Sequence, residues 1–381
     1  MRGKIVIIGA NDFQNPLILK AKEMGFETHV FAWQDGSIGE RTADYFYPIS
    51  IVEKESILEE CKKIQPKAVV TIASDLAGIT VNYLARKLGL PCNSERNALI
   101  ATNKYEMRKA FKEAGVSTPE FYIVDENVSL EMVKQMQLPV IVKPTDRSGS
   151  RGITKLDSWD GLEDAVKIAA ENSFENKALV EEYIEGNEYS CECISQNGKH
   201  HFLAITKKFT TGHPHFIETG HMEPSDLSED VCEKIKGQIF KALDALEITV
   251  GASHSEFKVD KNGNARIIEI GARMGGDCIG SDLVQLSTGY DFVKLTIQAA
   301  LGEKMEFEKS HEQQVAVIRF IFSKEDYDNF QNIQKNYPEK IYRTSEFDLE
   351  MQEKIVDSSS RYGFYILVCD SQEEACRLIQ L

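Results

Sequence analysis

Residues Ser253–Gly276 read SHSEFKVDKNGNARIIEIGARMGG, two short apolar strands around Asn262-Gly263. Asn-Gly is the dipeptide most strongly associated with a two-residue hairpin turn. With that turn, Lys261 faces Asn264, and counting outward sets Glu256 directly opposite Glu269. Side chains alternate faces along a strand, so both carboxylates point the same way, roughly 5 Å apart at Cβ. Phe257, Val259, Ile268 and Ile270 fall on the other face, which is expected to be the buried one. Like charges facing each other destabilise a ladder unless something positive lies between them. Arg273 lies on the carboxylate face but just beyond the pair. Mg²⁺ fits better, because it takes carboxylate oxygens and shares them with substrate phosphates. The competing reading is a solvated acidic face on an ordinary hairpin, and this stretch alone does not separate the two.

The whole chain narrows the classes. Its 381 residues suffice for two or three domains with substantial cores. Hydrophobic residues at 42% and charged ones at 27% describe a soluble globular protein. The formal charge of −16 disfavours nucleic acid or an anionic membrane as main partner, so an anionic ligand needs a local basic pocket. The eight cysteines contain no CxxC pair, which suits reduced thiols in the cytoplasm. The start, MRGKIVIIGAND, goes straight into a strand and a glycine turn, so no secretory leader is expected. No apolar run approaches the roughly 18 residues of a membrane span.

Along the chain, KIVII (4–8), a helix over Asn15–Met24, a strand over Glu27–Ala32, a helix over Ile51–Ile64, a strand over Ala68–Ile72 and a helix over Gly78–Leu88 alternate. That alternation predicts a doubly wound parallel sheet, with ligands near Gly9–Gln14 and Ser74-Asp75. The first turn, GANDFQ, lacks the G-x-G-x-x-G fingerprint, which argues against an NAD site. A helix from Lys104 to about Gly115 leads into a small α+β unit. Its strands are Phe121–Val124, Val140–Lys143, Gly152–Leu156 and Ala178–Tyr183, with a helix over Trp159–Asn172. A hairpin around Asn197-Gly198, a helix over Ser228–Leu246, the opening hairpin and a helix over Ser281–Leu301 follow. After Gly302, strands at Gln314–Phe322 and Tyr362–Cys369 and a helix at Ser371–Gln380 suggest a small separate α/β domain. The segment from Lys207 to Pro224 reads as a long polar loop carrying His213, His215, Glu218 and His221. The histidine spacing matches no zinc motif, so a substrate-lining loop is the preferred functional reading.

Three further stretches bear chemistry. Lys143-Pro144 ends a strand, and Ser148, Gly149, Ser150, Arg151 and Gly152 follow in a loop whose amides can turn toward an anion. The spacing is not that of a Walker loop, and a plain hairpin tip is the commoner use of such residues. In EEYIEGNE, a strand leads into a turn at Glu181, Glu182, Tyr183 and Ile184. A backbone C=O and N–H side by side suit an adenine edge, and the Glu188 carboxylate suits the two hydroxyls of a ribose; an acidic turn facing water has the same pattern. Arg273 with Gly275, Gly276 and Asp277 offers a planar fork and close backbone approach to a carboxylate or phosphate. A surface salt bridge beside a turn is the alternative.

The order of these pieces is more specific than any one of them. Lys104, VKP with a Ser/Gly loop, EEYIEGNE, then a glutamate hairpin ending in IEIGAR: together they resemble the ATP-grasp superfamily, up to about Gly302. The resemblance implies an α/β fold with an amino-terminal doubly wound parallel sheet, a central two-lobed α+β domain and a small carboxy-terminal α/β domain. The corresponding ranges are 1–100, 101–305 (small lobe about 119–184) and 306–381. It implies Lys104 and Lys143 on the α- and β-phosphates of ATP, and Ser148–Gly152 as a loop closing over the γ-phosphate. Glu181, Glu182, Tyr183 and Ile184 would form the adenine hinge, and Glu188 would bind ribose. Glu256 and Glu269 would hold one or two Mg²⁺ ions, with Mn²⁺ as a substitute. Arg273 and Lys143 would be the catalytic residues, Arg273 by steadying an acyl phosphate. ITKKFTTGHPHFIETGHMEPS, GARMGGD and LVQLSTGYD resemble ATP-grasp amino-acid ligases and related carboxylate–amine ligases. That likeness sets Lys208, Glu218, His221, Gly275 and Gly276 near the substrates. One departure is Gly271, where many members carry asparagine; it leaves the number of cations open, with Asp277 or water as compensation. The implied activity is ATP-dependent joining of a carboxylate to an amine, with release of ADP and phosphate. A bicarbonate-activating carboxylase and a nucleotide-binding regulator without turnover are the alternatives. The expected partners are small molecules, with a homodimer as the default assembly.

Overall fold

The computed structural model describes residues 2–124, 130–147, 151–212, 216–348 and 360–380. The amino-terminal strands are β1 (Gly3–Ile8), β2 (Phe26–Phe31), β3 (Tyr45–Tyr47) and β4 (Ala68–Val70). They form a parallel sheet in the order β3-β2-β1-β4. The run KIVII is apolar at every position after Lys4 because both faces are covered. Ile5 and Ile7 pack toward the helices Asn15–Glu23 and Phe292–Leu301, and Val6 and Ile8 toward Lys54–Ile64 and Asp75–Leu88. The last of these helices begins at Asp75, three residues earlier than expected from Gly78, because Ser74 Oγ accepts from the Ala77 N–H.

A second sheet holds β5 (Phe121–Val124), β6 (Val140–Pro144), β7 (Thr154–Leu156) and β8 (Ala178–Glu182), antiparallel in the order β5-β8-β6-β7. The helix Leu162–Asn172 covers it through Leu162, Ala165 and Ala169. The third sheet is the largest: β9 (Asn187–Gln196), β10 (Lys199–Thr210), β11 (Glu218–Glu223), β12 (Gly251–Val259), β13 (Ala265–Gly271), β14 (Val315–Ile321), β15 (Ile341–Thr344) and β16 (Gly363–Cys369). All its pairings are antiparallel, in the order β13-β12-β9-β10-β11-β14-β16-β15. The strands after residue 306 thus extend this sheet, with β14 hydrogen-bonded to β11, instead of forming a sheet of their own.

Two sequence expectations change here. Lys207–Pro224 is not one long loop: Lys207–Thr210 ends β10 and Glu218–Glu223 forms β11, so alternation puts Lys208 directly opposite His221. His213 and His215 lie outside the described residues. The helix expected over Ser281–Leu301 is broken, because Gly289 adopts φ 80° and Asp291 caps a new helix by accepting from the Lys294 N–H. All eight cysteines are free thiols. No helix among the described residues is long and apolar enough to cross a membrane.

The two Asn-Gly turns differ. At Asn197-Gly198 both residues have positive φ (53° and 75°) and Gln196 pairs with Lys199, a two-residue hairpin. At Asn262-Gly263 only Gly263 does, at 79°. The Asp260 carboxylate accepts from the amides of Asn262 (2.8 Å) and Asn264 (2.9 Å), which widens the loop so that pairing starts at Val259 and Ala265. Lys261 therefore lies in the loop and does not face Asn264. A bulge between Glu256 and Phe257 then takes up one residue of β13, restoring Glu256 opposite Glu269. Its other consequence is a swap of the buried isoleucine: Ile267, not Ile268, enters the core with Phe257, Val259 and Ile270, while Ile268 lines a cleft. Ile267→Ala should cost about 3 kcal/mol in denaturant unfolding, whereas Ile268→Ala should cost well under half of that. Equal losses would contradict the bulged register.

Candidate active site

The second and third sheets face each other across a cleft. Lys143, Glu181, Glu182, Tyr183 and Ile184 reach it from β6, β8 and the turn that follows. Glu188, Glu218, Glu256 and Glu269 reach it from the large sheet, Arg273 from the loop after β13, and Lys104 from the start of the helix Lys104–Ala114. In a chain of net charge −16, Lys104, Lys143, Lys258, Arg147 and Arg273 line one opening and Lys208 lies beside it. Lys104, Lys143, Lys208 and Arg273 are held by acid. Lys104 Nζ donates to Glu269 Oε1 at 2.7 Å and to the Arg147 carbonyl at 2.8 Å. Lys143 pairs with Glu181. Lys208 lies 2.9 Å from Glu256, 3.0 Å from Glu188 and 3.6 Å from Glu218. Arg273 grips Asp75 with Nε and Nη2, at 2.9 and 3.0 Å.

Burial makes these pairs strong. It opposes the charge on Lys208, yet Glu256, Glu188 and Glu218 together hold that ammonium well above its ordinary value. Burial likewise opposes the Glu256 carboxylate, which Lys208 and His254 keep well below the usual carboxylate range. Lys143 is pushed down by burial, against the pull of Glu181. Between β12 and β13 the Glu256–Glu269 pair presents hard oxygen donors. The protein contacts fall on Oε1 of each, and no bond among the described residues reaches either Oε2. No group of three or more metal-binding side chains occurs among the described residues. A divalent cation that completes its shell with phosphate and water fits this donor set; a closed structural metal site does not.

Other expected residues fall less centrally. Ser148, Gly149 and Ser150 lie outside the described residues. Arg151 is exposed, and the cleft wall beside Lys143 is made by Arg147 and Ile153. The Glu181 side chain is buried at the cleft wall, paired with Arg108 and Lys143. At the turn, the amides of Glu182 and Tyr183 are taken by the carbonyls of Glu120 and Pro139. The Ile184 amide is unpaired among the described residues. His221 is buried and bonds Asp277 at 3.3 Å, while Arg361 grips both Asp277 oxygens at 2.7 and 2.9 Å. Asp277 is therefore committed and does not compensate for Gly271.

Gly271 has a local explanation. A Cβ there would lie 2.7 Å from Asp75 Oδ1 and 3.1 Å from Arg273 Cζ. The Asp75–Arg273 pair occupies the space that a side chain at 271 would need. Asp75 was read as part of the Ser74-Asp75 turn where the parallel sheet is expected to meet a ligand, and not as the partner of Arg273. Arg108 was also missed, although it lies four residues after Lys104 on one helix face. So were Glu192 and His254, which face each other across β9 and β12, His254 sharing its face with Glu256 by alternation. Arg361 comes from the far end of the chain and carried no signal.

Beneath this cluster Glu223 is fully buried, and burial raises its carboxyl from 4.5 to about 8. Thr206 donates to one oxygen and the other has no partner. The native state thus keeps a proton that the unfolded chain releases. The linked stability is complete below about pH 4.5 and is lost as pH rises through about 8. Glu223→Gln should narrow the fall in Tm between about pH 6 and about pH 9 by about 2 °C or more. An unchanged fall would mean that Glu223 is not the titrating group.

Residues 136–282 match the ATP-grasp domain family. The alanine–anticapsin ligase of Bacillus subtilis (strain 168) is 28% identical over 271 residues, spanning 61% of this chain and 56% of the ligase. The chain thus matches little more than half the length of that relative. The crystal structure of an L-amino acid ligase from Bacillus licheniformis superposes with a TM-score of 0.83 at 22% identity, covering 100% of this chain and 96% of the ligase. The biotin carboxylase domain of the Hydrogenobacter thermophilus 2-oxoglutarate carboxylase, crystallised with MgADP and bicarbonate, gives 0.77 at 19% identity, covering 98% and 88%. At these identities the structural likeness establishes the fold.

Proposed function

The chain carries an ATP-grasp domain within an ATP-grasp fold, and on that footing we propose that it joins a carboxylate, an amino acid in the first instance, to an amine at the expense of ATP. The observation that carries the reading is the cleft itself, where Lys104 and Lys143 face the opposed Glu256 and Glu269 in an otherwise acidic molecule. The 28% identity to alanine–anticapsin ligase supports the amino-acid class.

In this reading the adenine edge bonds the Ile184 amide, and Glu188 takes the ribose hydroxyls. Lys104 and Lys143 exchange their carboxylate partners for phosphate oxygens. Glu256 and Glu269 would hold Mg²⁺, or Mn²⁺ in its place, which when bound offsets negative charge on the phosphates. Transfer of the γ-phosphoryl group to the substrate carboxylate gives an acyl phosphate and ADP. The amine then adds at the acyl carbon, and phosphate leaves. Arg273, held rigidly by Asp75, stabilises the oxygens that gain charge, and the loop at Gly275 and Gly276 borders the same site. Glu218 lines the substrate side of the cleft, with Lys208 buried against it; His221 lies buried beside Asp277. Positioning and fixed charge supply most of this catalysis, and an amine nucleophile needs chiefly orientation.

Phosphate release screened across pairs of amino acids should find a pair that depends on both members. Strict dependence on bicarbonate would instead favour the carboxylase reading, which the shared fold makes the natural alternative. Glu269→Gln should lower kcat on the pair so found by roughly 100-fold or more; unchanged turnover would remove Glu269 from the chemistry. Arg273→Lys keeps the charge but loses the fork that grips Asp75, and should cost roughly 10-fold or more in kcat with little change in the KM for ATP. Light scattering would test the homodimer.

A further inference from the structure

His254 has a carboxylate at each end of its ring. Nδ1 meets Glu192, and Nε2 lies 3.2 Å from Glu256 Oε1. The ring is buried, and Glu192 is 0% exposed. The arrangement follows from register: on the paired strands β9 and β12, His254 lies directly opposite Glu192, and Glu256 is the next residue along β12 on the same face. Glu192 is fixed in turn, since Oε2 accepts the Gly275 N–H at 2.8 Å. Gly275 fits closely against both: a Cβ there would come within 2.8 Å of His254 Nδ1 and 2.9 Å of Glu192 Oε1. A continuous chain therefore runs from the loop after β13, through Glu192 and His254, to one oxygen of Glu256. Lys208 also reaches that oxygen, but it is shared among three acids on a flexible stem. The planar ring is the contact that fixes direction.

We propose that His254 and Glu192 are positioning residues: they orient Glu256 so that its other oxygen faces the cation, and they tie that orientation to the Gly275 loop. The inference rests on the reading of Glu256 as a cation ligand. It adds that a change at the loop is felt at the cation, and that the cation site is set by two residues that never touch it. Gly275 is required in this scheme for the space it leaves, independently of any contact its amide makes with substrate.

The test is Mn²⁺ binding to the full chain, followed by electron paramagnetic resonance in the presence of a non-hydrolysable ATP analogue. Affinity for the analogue without metal is measured alongside. Glu256→Gln should abolish Mn²⁺ binding. His254→Phe, which keeps ring volume and removes both nitrogens, should weaken Mn²⁺ about 10-fold and broaden the bound signal, with analogue affinity in the absence of metal changed less than twofold. Glu192→Gln should give a smaller loss of the same kind. Gly275→Ala, which pushes on the pair from the loop side, should reproduce the His254→Phe signature and keeps the test alive if that variant does not fold. Mn²⁺ affinity within twofold of wild type in His254→Phe and Gly275→Ala, alongside its loss in Glu256→Gln, would overturn the inference and leave the cation reading standing. Unchanged binding in Glu256→Gln would overturn both.

Discussion

Two carboxylates opposed across a strand pair, Glu256 and Glu269, are the constraint that the rest of the molecule answers. Such a pair is repulsive in a half-buried ladder, and it persists only because positive groups arrive from elsewhere. Lys104 arrives on the first turn of a helix, Lys208 from β10, and His254 from the same strand as Glu256. The same logic extends outward. Lys143 and Arg108 are both buried and share Glu181, while Arg273 is held by Asp75 from the amino-terminal sheet. The site is assembled as a set of compensated charges drawn from all three sheets or the helices beside them. Breaking one partner of such a buried pair leaves the other uncompensated, which is why these residues act as a group.

This arrangement suits a site for a polyanion with its cation. Lys104, Lys143 and Lys208 are each already partnered by a carboxylate, so a nucleotide exchanges one set of oxygens for another and strips none of these ammoniums bare. The overall charge of −16 is no obstacle, because low-dielectric walls and nearby cations set the local field. The Asp75–Arg273 pair shows how tightly the space is apportioned. It fills the volume above Gly271, so the chain gives up a side chain there and gains a fixed guanidinium.

Much of the fold was legible because its signals are local. The run KIVII and the Asn197-Gly198 turn each act within a few residues, and each does in the structure what those residues favour. The glutamate hairpin is more instructive. The facing of Glu256 and Glu269 was read correctly, but through a two-residue turn that does not form. Asp260 captures two amides and widens the loop, and a bulge restores the pairing at the cost of exchanging Ile268 for Ile267 in the core. Propensity names the turn residue; the neighbouring carboxylate decides the turn.

By itself the sequence determined the alternation of strands and helices, the two facing acids, and the lysines and arginine that lie near them. Those depend on period, turn chemistry and residue type, which are written along the chain. Only the tertiary structure decided the partners. Asp75 lies 198 residues from Arg273, and Arg361 lies 84 residues from Asp277. Glu192 meets His254 across a strand pairing 62 residues apart. It also decided that the strands after residue 306 join the large sheet, because an open edge at β11 is paired by β14. Ion pairs and sheet edges are satisfied by whatever folding brings within reach, and nothing in a strand's own pattern records who that will be.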